Sequence, residues 1–267
     1  MFFVESLSTT EVKKLTEKNK SLAFLPLGSV EQHGPFLPLN TDTLISEYFT
    51  SALAKKIEKD GYLSVVYPAI RYSPSKASHG YRGNVSVKNE CFRNYLTDVL
   101  SSIIDDGFKA IIIVNGHGTN EAPINEVVFN VVNGQFLSEP DHKKIVPILP
   151  INTFFWNEII SAKLGQRTGR HADWVETAIL YKVLGSRFFT PELLEKIKKL
   201  EKQKTADPLN ILGAPIELRS KLGTLGDLLP EKMTLKEASE KICGLIEEKN
   251  FDLLNNFLNV KSYASWR

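Results

Sequence analysis

The chain has 267 residues, 42% of them hydrophobic and 24% charged, ordinary proportions for a globular protein and enough length for a substantial core. Its formal net charge of +2, with no basic arm or acidic tail, argues against nucleic acid and membrane surfaces as partners. The two cysteines, Cys91 and Cys243, lack CxxC spacing, which argues against a thiolate zinc site or a disulfide framework and leaves Cys91 as a small half-buried side chain rather than a reactive thiol.

Along the chain, apolar runs and helical patterns alternate. Residues 1–20 scatter acidic and basic side chains and carry no long apolar run, unlike a signal peptide. No stretch approaches the ~18 apolar residues of a membrane span, so the expected location is the cytoplasm. Residues 22–27 form a short apolar run closed by Gly28, the pattern of a buried strand. Residues 43–59 follow a helical period, with Leu44, Ile45, Tyr48, Leu53 and Ile57 on one side and Gly61 as the stop. Residues 63–70 read as a second strand, and 91–106 as an amphipathic helix stopped by Gly107. Ile111, Ile112, Ile113 and Val114 make 109–114 a β-branched run, suited to a strand covered on both faces. A helix over 120–132, a strand over 145–151 and a helix over 172–183 follow. This alternation predicts an α/β fold with a mostly parallel sheet and helices on both faces, in a single domain over residues 1–267. The Lys-rich stretch 191–204 and the loop 206–226 read as a peripheral insertion.

Open parallel sheets bind ligands beyond the carboxyl ends of their strands, and the polar residues gather there. Glu31, His33 and then Asp42 follow the first strand. His117 sits between Gly116 and Gly118 after the β-branched run, and His171 and Glu176 follow later. Of the five histidines, His33, His79, His117 and His171 fall near glycines in loops or at element ends, and only His142 lies in an ordinary polar stretch. Imidazole and carboxylate together suit Zn²⁺, Fe²⁺ or Mn²⁺, and carboxylates shared between imidazoles can hold two such ions. Each residue also has a plainer use. Asp42 can cap a helix, Glu31 can pair with a surface lysine, His33 and His117 can bond loop carbonyls, and Glu176 can face solvent. Their joint placement at successive strand ends favours the metal reading.

The motifs resemble those of the creatininase (creatinine amidohydrolase) family. Pro26-Leu27-Gly28-Ser29-Val30-Glu31-Gln32-His33-Gly34-Pro35, with Leu37-Pro38-Leu39 and Thr41-Asp42, is similar to its first signature. Asn115-Gly116-His117-Gly118-Thr119-Asn120 resembles the second, and His171-Ala172-Asp173-Trp174-Val175-Glu176-Thr177 the third, where Gly is usual in place of Asp173. Gly223-Thr224-Leu225-Gly226-Asp227 is a weaker match. The resemblance implies a three-layer α/β/α fold, two divalent ions and a homohexamer. It further implies that Glu31, Asp42 and His117 hold one ion while His33, Asp42 and Glu176 hold the other. Zinc is the first expectation, with iron or manganese as alternatives. A metal-bound hydroxide would attack a carbonyl carbon, and His171 would pass a proton to the leaving nitrogen. Its position five residues before Glu176 puts it in the loop ahead of the helix, unligated and titrating near neutral pH.

The implied activity is hydrolysis of a non-peptide C–N bond in a small-molecule cyclic amide or formamide. Known substrate types are creatinine, the formylamino-pyrimidine of flavin and deazaflavin synthesis, and the precursor peptide of mycofactocin maturation. Thr119 stands where creatinine-hydrolysing members have a ligating Glu, so Glu176 must complete the site. Arg82 stands where the family commonly has Pro, which suggests a polar or anionic substrate group and is equally explained by a solvent-facing side chain. His79, Trp156 and Trp174 are candidate substrate contacts, since aromatic walls suit flat heterocycles; core packing is the alternative for both tryptophans. A non-catalytic metal-binding assembly protein is disfavoured by the complete residue set, and a phosphoesterase by the lack of a P-loop phosphate cradle.

Overall fold

The computed structural model describes residues 1–138, 145–169, 171–202 and 216–260; His142, Arg170 and residues 203, 204 and 206–215 of the expected insertion lie outside them. Among the described residues the elements run β1 (Phe2–Phe3), α1 (Thr9–Thr16), β2 (Ser21–Leu27), α2 (Thr41–Ile57), β3 (Leu63–Val66), α3 (Asn89–Asp105), β4 (Ala110–Asn115), α4 (Glu121–Ser138), β5 (Ile148–Asn152), α5 (Asn157–Leu164), α6 (Trp174–Phe188), α7 (Pro191–Glu201), α8 (Ile216–Arg219) and α9 (Leu235–Leu258). The strands form one sheet in the order β1-β3-β2-β4-β5, every pair parallel.

Both faces of this sheet are covered, which explains the unbroken apolar runs of its central strands. Leu22 and Phe24 of β2, with Ile112 and Val114 of β4, pack into a core with α2, α6 and α9. The alternate residues Ala23, Leu25, Ile111 and Ile113 pack on the other side with Phe92, Leu96 and Leu100 of α3 and Ile124 and Val127 of α4. Period-two alternation thus divides a single hydrophobic stretch between two cores, giving the three-layer α/β/α architecture.

Pairing register sets the site. Leu27 pairs with Asn115, and Asn115 with Asn152, so β2, β4 and β5 end level. Their carboxyl ends release the segments 28–40, 116–120 and 153–156 on one side of the molecule. The two asparagines lock this edge, Asn115 Nδ2 donating to Asn152 Oδ1 at 2.8 Å. Strand β3 stops at Val66, short of the expected residue 70, although Tyr67 N still donates to the Phe24 carbonyl at 2.9 Å and Ile70 N to the Pro26 carbonyl at 3.0 Å. Pairing resumes only as an isolated bridge between Leu27 and Ile70.

The expected peripheral insertion is not peripheral at its ends. Ile197 of α7 is fully buried. Leu225 N donates to the His171 carbonyl at 2.8 Å and Trp174 N to the Asp227 carbonyl at 2.6 Å, so the 223–227 segment braces the third motif. Cys91 is exposed rather than half-buried, and Cys243 is buried. No helix among the described residues is long and apolar enough to cross a membrane.

Candidate metal centre

Three chain segments deliver the candidate ligands to the level edge of the sheet. The loop after β2 carries Glu31 and His33, and Asp42 lies in the first turn of α2. Its approach depends on two glycines. A Cβ on Gly28 would strike the backbone of Thr43, and one on Gly116 the carbonyl oxygen of Asp42, so only glycine lets α2 start against the ends of β2 and β4. His117 follows Gly116. The third segment turns at Ala172, whose φ of 48° is left-handed backbone costing about 1–2 kcal/mol for a residue with a Cβ. That turn sends His171 and Glu176 to the same cluster from opposite ends. Asp173 then caps α6 by accepting from Val175 N and Glu176 N, both at 3.1 Å.

The donor atoms converge in two groups joined at Asp42. Its Oδ2 lies 2.9 Å from His117 Nδ1, which is 3.2 Å from Glu31 Oε1. Its Oδ1 lies 3.0 Å from His33 Nε2, which is 3.8 Å from Glu176 Oε2. Donors about 2.1 Å from one tetrahedral ion stand about 3.4 Å apart, and these separations scatter around that value. Backbone carbonyls orient both rings. Because a carbonyl can only accept, His33 donates from Nδ1 to the Glu31 carbonyl at 3.2 Å and His117 from Nε2 to the Pro74 carbonyl at 2.9 Å. Each ring therefore turns its other nitrogen to the carboxylates, the arrangement that fixes a ligating tautomer. Ser29 Oγ donates to Asp42 Oδ2 at 2.7 Å and Ser78 Oγ to Glu31 Oε2 at 3.1 Å. A nitrogen and oxygen donor set of this size, closed by burial, fits two divalent ions.

A third combination, Glu31, His33 and His171, also brings its donor atoms within 4.8 Å of one another. His171 Nδ1 is 3.6 Å from Glu31 Oε1, while Nε2 donates to the Gln32 carbonyl at 2.7 Å. The Gln32 amide bridges the Gly223 carbonyl and Gly34 N, and its nitrogen is 3.0 Å from His171 Nε2.

With no cation among them, these groups titrate against each other. Burial disfavours charge on His33, but Asp42 and Glu176 outweigh it and hold the ring up at about 10. Burial likewise opposes charge on His117, and Glu31 and Asp42 overcome it. Asp42 is pulled well below the usual carboxylate range despite its burial, chiefly by His33 and His117. Glu176 is pushed up to about 8 by burial. His171 goes the other way: burial and then His33 lower it to about 4. That differs from the near-neutral titration expected from sequence, because the ring is enclosed beside another imidazole, with centroids 4.4 Å apart.

A pH dependence follows for metal-free protein. His33 and Glu176 hold protons more tightly folded than unfolded, so folding loses stability as pH rises through about 8 and about 10. His171, lowered to about 4, contributes its change below its ordinary value and leaves that window alone. Metal-stripped protein should therefore melt at a lower temperature at about pH 9 than at about pH 7. Loading with Zn²⁺ at neutral pH should release protons from His33, His117 and Glu176. Calorimetry in buffers of different ionisation enthalpy reads that release, and metal uptake without it would refute the assignment.

A sequence profile described as creatininase, creatinine amidohydrolase, matches residues 5–240. The chain belongs to the creatininase family. Among curated relatives, a 3-dehydro-scyllo-inosose hydrolase of Thermotoga maritima is 34% identical over 113 residues, 41% of this chain and 35% of that protein. A 2-amino-5-formylamino-6-ribosylaminopyrimidin-4(3H)-one 5'-monophosphate deformylase of Methanocaldococcus infernus is 37% identical over 134 residues, 48% of this chain and 57% of that protein. A mycofactocin precursor peptide peptidase of Mycolicibacterium smegmatis is 31% identical over 122 residues, 44% of this chain and 47% of that protein. The matched stretches thus span roughly a third to somewhat over half of these relatives' lengths. A solved structure described as creatininase Mn superposes with a TM-score of 0.75 at 16% identity, covering 97% of this chain and 99% of the other. At that identity the likeness shows the creatininase fold.

The remaining candidates differ in their surroundings. Thr119 is exposed. His79 and Arg82 are exposed as well. Trp174 has no exposed surface and donates its indole N–H to the Arg167 carbonyl at 3.0 Å. Trp156 donates to Asn250 Oδ1 at 2.6 Å and packs against the core. The parts that sequence reading missed are the supports: Ser29, Gln32, Ser78, the Pro74 carbonyl and the capping carboxylate of Asp173. Only the last had a clear signal, an Asp three residues before a Glu at a helix start.

Proposed function

We propose that the protein is a metal-dependent amidohydrolase acting on a non-peptide C–N bond, in a small cyclic amide or formamide. The observation that carries this reading is Asp42, whose two oxygens face different imidazole–carboxylate groups. Glu31, Asp42 and His117 would hold one ion, and His33, Asp42 and Glu176 the other. Zinc suits this thiolate-free set first, iron or manganese next. Bound there, a pair of divalent ions supplies Lewis acidity toward an amide carbonyl and lowers the pKa of water.

The chain's own residues do the rest. His33 and His117 are held from behind by carbonyls, so neither ring need reorganise. Glu176 keeps 22% of its side chain exposed, the most open of the donors, and marks the side from which substrate reaches the cluster. His171 keeps Nε2 on the Gln32 carbonyl and turns Nδ1 inward, where it can take a proton from water and return it to the leaving nitrogen. A cytoplasmic homo-oligomer belongs to the same reading.

The test is to strip the purified protein, reload it with Zn²⁺, Mn²⁺ or Fe²⁺, and screen cyclic amides and formamides. One ion for each Asp42-sharing group and turnover of at least one compound are expected. Less than about half an equivalent of every metal after reloading would sink the reading.

A further inference from the structure

Beyond β3 the chain runs on beside β2 and leaves an open edge. Ile70 turns both backbone groups to β2: its N–H donates to the Pro26 carbonyl at 3.0 Å, and its carbonyl accepts from Gly28 N at 2.9 Å. Backbone groups alternate sides along an extended chain, so those of Ala69 and Arg71 face away from β2. No strand covers them among the described residues, because β1 pairs only Phe2 with Val65 and Phe3 with Val66. Neither Ala69 N nor Arg71 N finds a hydrogen-bond partner among the described residues. The segment takes three steps, Tyr67 to Ile70, to pass two of β2, Phe24 to Pro26. That bulge and the exposed Pro68 keep the edge short.

Two cavities open along this edge, one on each face of the sheet, and Ala69 and Arg71 line both. The first, of about 430 Å³, lies on the α2 face, walled by Phe3, Pro26 and Val66 and carrying the carboxylates of Glu5 and Glu47. Arg71 Nη2 reaches Glu47 at 3.3 Å, so its lining holds two carboxylates to one guanidinium. The second, of about 460 Å³, lies on the α3 face. Ile70, Val87 and Phe92 form its apolar floor, and Tyr72 and Tyr95, 57% and 53% exposed, form its rim. No carboxylate lines it among the described residues.

We propose that the 69–72 edge binds an extended peptide segment of a partner as an added strand, with a basic side chain in the α2-face cavity and the adjacent aromatic or aliphatic one in the α3-face cavity. Side chains of a strand alternate between the two faces of its sheet, so neighbouring residues of one peptide reach both cavities. The free backbone groups of Ala69 and Arg71 supply the pairing, and the cavities supply the choice of side chain. Glu5 and Glu47 favour a cation on one face, and the apolar floor favours a hydrophobic group on the other. This surface is separate from the metal centre, and the proposal does not rest on the hydrolase reading.

The experiment titrates the full chain with the capped peptide Thr-Lys-Phe-Lys-Phe-Thr. Two relatives of it serve as controls, one with Glu in place of Lys and one N-methylated on its central residues. Exchange of Lys for Glu should weaken binding about tenfold or more, and N-methylation, which removes strand pairing and keeps the side chains, about tenfold or more. Bound peptide should also shield Cys91, the exposed thiol in the α3-face cavity, from a thiol reagent; Cys243 is buried. The double variant Glu5→Lys with Glu47→Gln should lose the preference for Lys over Glu, and Tyr95→Asp should weaken the parent peptide. All three positions are at the surface, and circular dichroism confirms folding. No binding at about 1 mM peptide, or equal binding of the Glu or the N-methylated peptide, would overturn the proposal. So would a molar mass by light scattering that falls in Tyr95→Asp, since a second copy of the chain would then occupy the edge.

Discussion

Replacing Asp42 with alanine is expected to strip the protein of both ions and to lower any hydrolytic activity by roughly 10³-fold or more. No other candidate donor serves both groups. Loss of Glu31 or His117 leaves the His33–Asp42–Glu176 group intact, and loss of His33 or Glu176 leaves the other. Loss of Asp42 takes an oxygen from each and removes the anion between two like charges. The simpler use of Asp42, as a helix cap, is set aside by geometry: Asn40 is at the cap position of α2, and the oxygens of Asp42 go to His33, His117 and Ser29. Elemental analysis after reloading, with circular dichroism to confirm folding, reads the outcome. Retention of both ions by folded Asp42→Ala would end the bridging assignment. Asp42→Asn adds a finer reading, since an amide keeps one oxygen and should support at most one group.

The layers were legible in the sequence because burial on two faces writes itself as an unbroken β-branched run. Ile111 to Val114 could only be a strand with cover on both sides, and the structure divides those four residues between two cores. Element ends were less legible. Pro68 is visible in the sequence, yet the pairing of Ile70 with Leu27 beyond it depends on where β2 lies. The approach of Gly116 to the Asp42 carbonyl needs the three-dimensional start of α2.

In the site, the residues that carry charge showed themselves and those that orient them did not. Glu31, His33 and His117 stand in loops at strand ends and Asp42 and Glu176 in the first turns of α2 and α6, and all five come together. The Pro74 carbonyl behind His117 and the Ser78 hydroxyl on Glu31 come from a loop with no ligand of its own. A main-chain carbonyl has no signature in a sequence, and serines are too common to single out. Trp156 and Trp174 stood out by size, and burial spends both indoles on the interior.

His171→Asn is expected to keep both ions and lose at least about 10²-fold in kcat, the usual loss on removing a general acid–base group. The competing assignment is that His171 is itself a ligand, since its Nδ1 joins Glu31 and His33 in a third possible group. That group shares both its other members with the two Asp42-centred groups. An ion placed there would draw Glu31 from His117 and His33 from Asp42, breaking contacts of 3.2 Å and 3.0 Å to gain one of 3.6 Å. His171 is therefore the imidazole left over, in line with its position in the loop ahead of α6. Its lowered pKa makes the resting ring neutral, with Nε2 tied to the Gln32 carbonyl and the Nδ1 lone pair directed at the cluster. The neutral ring presents its lone pair to the cluster, and Glu31 beside it favours the imidazolium against the burial and the His33 charge that oppose it. Metal content and kcat measured on one preparation separate the roles. Intact metal with a collapsed kcat is the expected result. Loss of an ion would make His171 a ligand, and unchanged turnover would reduce it to a brace between Gln32 and the 223–227 segment.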